Sequence, residues 1–323
     1  MHTPEEFDEL MGHVIPYLGV PSFMRAPVTR QLDGIDVAVV GLAYDLGTSN
    51  RPGARTGPRG IREQSLMAGQ YAEGLWPWTY DVRNRLRVAD WGDIPFLWGE
   101  RDEFLASCAR HLDRIGQAGA RVLGLGGDHF VFLPLARAAS KRHDRLSVVH
   151  FDAHDDCLEL DALNHATMFH HACKEGLIDP ARTVHVGIRT PRAVSAQPYH
   201  YIDGLQTMAL GSEQITDEVR RIMGDTPVYV TFDIDFVDPA YAPGTGTCCV
   251  GGVSSFKVRE ILRCLRGLNE VGADLAEVSP PVDSSSITQL LGAVLAMDLL
   301  YLMAESPRLS AGQALPAPGH TSD

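Results

Sequence analysis

The residues best suited to chemistry lie in two acidic clusters, Asp152-Ala-His154-Asp155-Asp156 and, further along the chain, Asp233-Ile-Asp235. Each follows a short run of β-branched and apolar residues, Leu146–Phe151 and Val228–Phe232. A third such run, Arg121–Leu125, ends in Gly126-Gly127-Asp128-His129. Residues i and i+2 of an extended strand share a face, roughly 6.6 Å apart at ~3.3 Å per residue. Asp233 and Asp235 therefore reach into one cavity, and so do Asp152, His154 and Asp156. Brought together, these carboxylates and imidazoles can hold two divalent metal ions, which sit roughly 3.5–4 Å apart in hydrolytic centres of that kind. Without cations, so many buried anions would repel, and some would take up protons. The oxygen-rich donor set suits Mn²⁺, while the imidazoles leave Ni²⁺, Co²⁺ or Zn²⁺ open.

Strands must deliver these groups, and the chain supplies them. Strand-like segments at Asp36–Tyr44, Leu86–Asp90, Arg121–Leu125, Leu146–Phe151, Thr183–Ile188, Val228–Phe232 and Ala273–Val278, with a weaker one at Tyr201–Ile202, alternate with helical patterns. The clearest helical patterns are Arg101–Gln117, Leu133–Lys141, Ser254–Leu268 and Ile287–Ala304. Such alternation predicts a parallel sheet with helices on both faces. Polar groups follow almost every strand: Asp45, Asp93, Asp128 with His129, Asp152 with His154, Arg189, Asp233 with Asp235, and Glu277. Open parallel sheets bind ligands at the carboxyl ends of their strands, so the site is expected there. One large domain spanning 31–305 is expected, after an N-terminal arm over 1–30 and before a tail over 306–323. The tail is rich in Pro, Gly, Ser and Ala and reads as disordered.

Bulk properties exclude several functions. A net charge of −13 argues against a nucleic-acid partner. No apolar run approaches the ~18 residues of a membrane span. Glu5, Glu6, Asp8 and Glu9 make the first residues unlike a signal peptide. Six cysteines without a C-x-x-C spacing read as reduced thiols, and the cytoplasm is the expected location.

With these motifs the chain resembles the ureohydrolases, the family of arginase, agmatinase and guanidinobutyrase relatives, from about Val39 to Ala304. The resemblance rests on Gly47-Thr-Ser-Asn-Arg-Pro-Gly-Ala-Arg-Thr-Gly-Pro-Arg59, Gly126-Gly-Asp-His129, Asp152-Ala-His-Asp-Asp156, Phe232-Asp-Ile-Asp235, Pro243-Gly-Thr-Gly-Thr247 and Glu277-Val-Ser-Pro-Pro281. The Arg-Pro-Gly-Ala-Arg loop is closer to the agmatinase branch. The resemblance implies an α/β fold, a three-layer α/β/α sandwich around a mostly parallel eight-stranded sheet shared with deacetylase-like enzymes. It also implies assembly into trimers or hexamers. It assigns His129, Asp152, Asp156 and Asp233 to one metal ion and His154, Asp152, Asp233 and Asp235 to the other. A hydroxide between the ions would attack the guanidinium carbon, with Asp156 accepting its hydrogen bond. Glu277 would grip the guanidinium nitrogens, and His165, in Asn164-His165-Ala-Thr167, would carry a proton to the leaving amine. Urea and an amine would be released.

Departures from the family pattern bear on the substrate. Phe130 follows Gly-Gly-Asp-His, Cys248-Cys249 follow Gly-Thr-Gly-Thr where a Pro-Glu pair is usual, and Asp155 takes the place of a small hydroxyl residue. Phe130, Asn164, Cys248 and Cys249 are the expected pocket residues. Losing a Glu at the cysteines would weaken the grip on a distal ammonium group. Compact guanidines, alkylguanidines, biguanides or 4-guanidinobutanoate are therefore expected ahead of agmatine, which is the alternative. A weakly active subunit of a mixed oligomer is the non-enzymatic alternative, and a one-zinc deacetylase-like enzyme would not need the full ligand set. His150 reads as a satisfied core histidine, and His170, His171 and His185 lack spacing that adds to the cluster. Trp76 and Trp78 are expected to pack on a loop. Arg51, Arg55 and Arg59 either bind an anion or stitch turns together.

Overall fold

The computed structural model describes residues 18–71 and 76–307. Most of the expected N-terminal arm and of the expected tail lies outside the described residues. The strands are β1 (Val37–Leu42), β2 (Val88–Asp93), β3 (Arg121–Gly126), β4 (Leu146–Phe151), β5 (Ile178–Val186), β6 (His200–Ile202), β7 (Val228–Asp233) and β8 (Glu270–Ala276). They form one eight-stranded sheet in the order β2-β1-β3-β8-β7-β4-β5-β6, and every pairing is parallel. Strands β1, β4, β7 and β8 are buried along their whole length. That burial explains their near-continuous Val, Leu and Phe runs, since helices cover both faces of such a sheet.

The helices are α1 (Gly57–Ala68), α2 (Arg101–Gln117), α3 (Phe132–His143), α4 (Met168–Lys174), α5 (Gly204–Ala209), α6 (Ser212–Met223), α7 (Ser255–Cys264) and α8 (Ile287–Ala304). Two apolar clusters result. One holds Ile61, Ile215, Val219, Ile261 and Leu299, from α1, α6, α7 and α8; the other holds Phe104, Leu112, Leu135 and Phe169, from α2, α3 and α4. Contrary to the expectation that no apolar stretch approaches a membrane span, helix α8 is apolar and long enough to cross one, but 78% of it is buried inside the fold. It is a core helix, and its one acid, Asp298, accepts hydrogen bonds from Arg259 (2.7 Å) and Trp78 (2.7 Å).

All eight expected strands form, with shifted ends. β8 stops at Ala276 because Glu277 turns into the left-handed region at φ 64°. α7 is shorter than Ser254–Leu268: Ser254 is its cap, accepting from the Lys257 amide at 3.1 Å, and the chain turns away at Gly267 (φ 87°). Helix α1 was not expected, because two glycines and a proline open it. Proline is tolerated in a first helical turn. Residues 18–30 are not a free arm. Phe23 is buried, its amide donates to Asp90 (2.8 Å), and Val28 bridges to Asp90 of β2.

Candidate active site

The four central strands, β3, β8, β7 and β4, bring the polar clusters to one place. Beyond β3 the chain passes so close to the Tyr44 backbone that a Cβ on Gly127 would overlap the Tyr44 carbonyl. Glycine is required there. Asp128 then caps a short turn, accepting from the Phe130 amide (3.2 Å), and clamps the 47–51 loop through the Gly47 amide (2.6 Å). His129 is thereby turned inward and fully buried. Asp233, at the end of β7, accepts from the Asp235 amide at 2.7 Å and fixes that turn. Asp156 (φ 50°) and Glu277 (φ 64°) both occupy the left-handed region. Such backbone costs non-glycine residues on the order of 1–3 kcal/mol and persists where function or packing over-determines it.

The side chains meet as two overlapping groups. His129 Nδ1 lies 3.0 Å from Asp152 Oδ2, 3.4 Å from Asp156 Oδ2 and 3.3 Å from Asp233 Oδ2. His154 Nδ1 lies 2.9 Å from Asp235 Oδ2 and 3.4 Å from Asp152 Oδ1. Asp152 thus offers one oxygen to each group, as a carboxylate bridging two cations does. His129 Nε2 is 2.8 Å from Thr231 Oγ1, which donates to Asp274 Oδ1 at 2.9 Å. The hydroxyl proton is committed to Asp274, so Nε2 of His129 must be the donor. A neutral His129 then turns its Nδ1 lone pair toward three carboxylates, and only a proton or a metal ion reconciles them.

Electrostatics make the same demand. Burial raises the Asp233 carboxyl well above its usual range, with Asp235 and Asp152 adding to the shift. Burial and Asp152 push Asp235 up to about 7. Burial works against protonation of His129 and His154, yet the surrounding carboxylates win, raising His129 well above the ordinary imidazole value and His154 to about 12. Burial also opposes ionisation of Asp152, but His150, His129 and His154 outweigh it. The pocket calls for positive charge, and oxygen and nitrogen donors at these positions fit divalent metal.

A cavity of about 190 Å³ is lined by His154, Asp156, Asp233, Asp235, His165 and Glu277, with Asp155, Ser49 and Thr247 among its other polar groups. His165 is buried. Its Nδ1 lies 2.9 Å from Glu277 Oε1 and its Nε2 2.9 Å from Ser49 Oγ, while the Ser49 amide donates to Nε2 at 3.1 Å. Burial opposes its protonation, but the Glu277 carboxylate prevails and pushes it up to about 9. Glu277 Oε1 also accepts from the His129 amide at 2.9 Å.

Several expected positions are corrected. Phe130 does not line the cavity: it is fully buried and packs on Tyr44, ring centroids 5.7 Å apart. Asn164 supports His165 instead, capping its turn by accepting from the Ala166 amide at 3.0 Å. Cys248 and Cys249 are not among the lining residues; Cys248 Sγ accepts from Arg51 at 3.3 Å, outside the cavity. Asp45, Asp93 and Arg189 sit at strand ends but serve structure. Asp45 binds Arg55 (2.5 Å), Asp93 binds Arg62 (2.5 Å), and Arg189 donates to the Asp235 (2.5 Å) and Cys249 (2.8 Å) carbonyls. The arginines of the 51–59 loop stitch: Arg51 donates to the Thr245 carbonyl (2.8 Å), and Arg59 pairs with Glu63. Trp78 stacks on Tyr301 and Trp76 on Phe256, away from the cavity. His150 is buried as expected, but its Nε2 is 2.8 Å from Asp152 Oδ2, and His185 does have a partner, His150. Ser49 and Thr247 were missed, although both lie in motifs that the sequence displays.

Residues 35–301 match the arginase family. An agmatinase from Proteus mirabilis is 43% identical over 285 residues, covering 87% of this chain and 92% of that protein. Among solved structures, a hypothetical agmatinase from Burkholderia thailandensis superposes with a TM-score of 0.87 at 42% identity, covering 92% of this chain and 94% of that one. Proclavaminate amidino hydrolase from Streptomyces clavuligerus does so with a TM-score of 0.84 at 37% identity, covering 90% and 99%. The family match and these likenesses agree that the strand-end cluster, which could hold divalent metal, sits in a known kind of fold: the chain belongs to the arginase family.

Proposed function

We propose that this cavity hydrolyses the guanidino group of a guanidinoalkylamine of the agmatine class, releasing urea and the amine. His129, Asp152, Asp156 and Asp233 would hold one divalent ion, and Asp152, His154, Asp233 and Asp235 the other. When bound, such a pair lowers the pKa of water and supplies the nucleophile. Mn²⁺ suits the oxygen-rich donors best, and Ni²⁺ is compatible with the imidazoles.

The chain's own groups do the remaining work. Glu277 Oε1 is held by His165 and the His129 amide, which leaves Oε2 to accept from guanidinium N–H groups. His165 keeps a proton at neutral pH through its bond to Glu277. Its Nε2 faces both a Ser49 hydroxyl that can accept that proton and a Ser49 amide that suits the bare lone pair. The same nitrogen can therefore hold a proton and release it to a leaving amine.

Asp155 carries the substrate reading. The cysteines that pointed to compact guanidines lie off the cavity, whereas Asp155 lines it and adds a carboxylate beside the metal-binding set. Among the described residues lining the cavity there is no Lys or Arg, so the carboxylate of 4-guanidinobutanoate would meet negative charge without a counter-ion. A cationic tail fits better. The relatives at 42–43% identity are named agmatinases, which supports the same choice.

Six free cysteines support a reducing cytoplasm. Exposed Trp98 and Leu97 support burial against further copies of the chain, as a homo-oligomer. The test is urea release by metal-loaded protein from agmatine, butylguanidine, guanidine, a biguanide and 4-guanidinobutanoate. Agmatine should have the highest kcat/KM, and Asp155→Asn should raise its KM about fivefold while leaving butylguanidine unaffected. Faster turnover of butylguanidine than of agmatine would overturn the substrate assignment, and urea from none of them would overturn the reaction.

A further inference from the structure

We infer that His150 and His185 form a buried, hydrogen-bonded pair that fixes the carboxylate of Asp152, making both of them positioning residues for the metal centre. The inference rests on the metal reading above. Parallel pairing of β4 with β5 sets His150 directly beside His185. Their Nδ1 atoms are 2.7 Å apart, and His150 Nε2 is 2.8 Å from Asp152 Oδ2. Both rings are fully buried. Phe169 packs against His150 (4.6 Å between centroids) and His185 (4.7 Å), and Tyr201 stacks on His185 at 5.0 Å and 17°. Neither ring has room to turn.

The Asp152 carboxylate only accepts, so His150 Nε2 must carry a hydrogen. One hydrogen lies between His150 Nδ1 and His185 Nδ1 whichever ring carries it, so His185 braces the far edge of the His150 ring. His185 Nε2 lies 3.9 Å from Cys157 Sγ, which donates to the Asp155 carbonyl at 2.8 Å. The N–H that reaches Asp152 therefore comes from a ring held on its other edge by His185.

That donor matters for the cluster. Asp152 Oδ1 accepts from the His154 amide at 2.6 Å and faces the His154 group, while Oδ2 faces the His129 group. Removing the His150 donor frees Oδ2 to swing, which changes what the shared carboxylate offers to each side. Partners that orient a metal ligand are typically worth ~10–100-fold in metal affinity.

The test titrates Mn²⁺ into metal-free protein by calorimetry and records the electron paramagnetic resonance of the loaded pair. Wild type should bind two ions with a spin-coupled spectrum. His150→Phe keeps the ring volume but not the donor, and should weaken binding at least ~10-fold and reduce the coupled signal. His150→Gln returns an N–H near the position of Nε2 and should recover most of the affinity. His185→Phe should fall between the two. If His150→Phe does not fold, His185→Phe, one bond further from Asp152, carries the test with the same sign. Wild-type affinity and coupling in His150→Phe, or a His150→Gln as weak as His150→Phe, would overturn the inference and leave the metal reading intact. Fewer than two ions in wild type would overturn the metal reading and this inference with it.

Discussion

The two halves of the cluster differ in enclosure. His129 is fully buried and backed by Thr231 and Asp274 on one side, while the Asp152 oxygen beside it is backed by His150 and His185. The His154 side chain keeps 26% of its surface and looks into the cavity, with Asp235 held by the Ala153 amide at 3.0 Å. One half is preformed by layers of hydrogen bonds, and the other is open to solvent and substrate. The buried half should bind its ion more tightly and exchange it more slowly, because its donors cannot rotate away. Asp152 joins the halves.

Breaking that joint should have the largest effect. Asp152→Asn removes charge from both halves, and should lose both ions and lower urea release by more than ~100-fold, beyond what loss of an outer partner costs. Asp235→Asn touches the open half, and should retain one ion on elemental analysis with little turnover. Equal metal loss in the two variants would erase the distinction.

A smaller effect is expected at Glu277, which ties His165 to the buried half. Burial opposes a charge on His165, but Glu277 pushes it from the ordinary imidazole value of 6.5 up to about 9. Its ion pair with Glu277 therefore stabilises the fold fully below about pH 6.5, and that contribution fades as pH rises through about 9. In metal-free protein, Glu277→Gln should cost about 2 kcal/mol, a few degrees in Tm, at pH 6. The gap should narrow by pH 10; a gap that widens with pH would reverse the assignment. The smallest effect belongs to the cysteines. Cys248→Ser with Cys249→Ser should change kcat/KM for agmatine less than about twofold, since neither lines the cavity.

Much of this was legible in the residues themselves. The β-branched runs predict all eight strands, but β4 ends at Phe151 and β7 at Asp233, so Asp152 with His154 and Asp233 with Asp235 are gathered by turns, each aspartate accepting from the amide two residues on, and not by strand alternation. Strand order lies beyond a single sequence, so the chain alone does not say that β8 and β7 sit between β3 and β4. For that reason Asp45, Asp93 and Arg189 resemble site residues until the outer positions of β1, β2 and β5 are known. The partnership of His150 and His185 was hidden the same way, since it depends on the register between β4 and β5. Chain proximity also misled at Phe130 and Cys248-Cys249. Adjacency to a motif does not determine which way a side chain turns, and a helical turn carries Phe130 into the core.

The most direct test of the shared-carboxylate cluster is urea release from agmatine followed while Mn²⁺ is titrated into metal-free protein. The account predicts that the first equivalent fills the buried half with little turnover, and that activity rises with the second and levels off at two ions per chain. Full turnover after one equivalent, or turnover that persists after complete chelation, would contradict it.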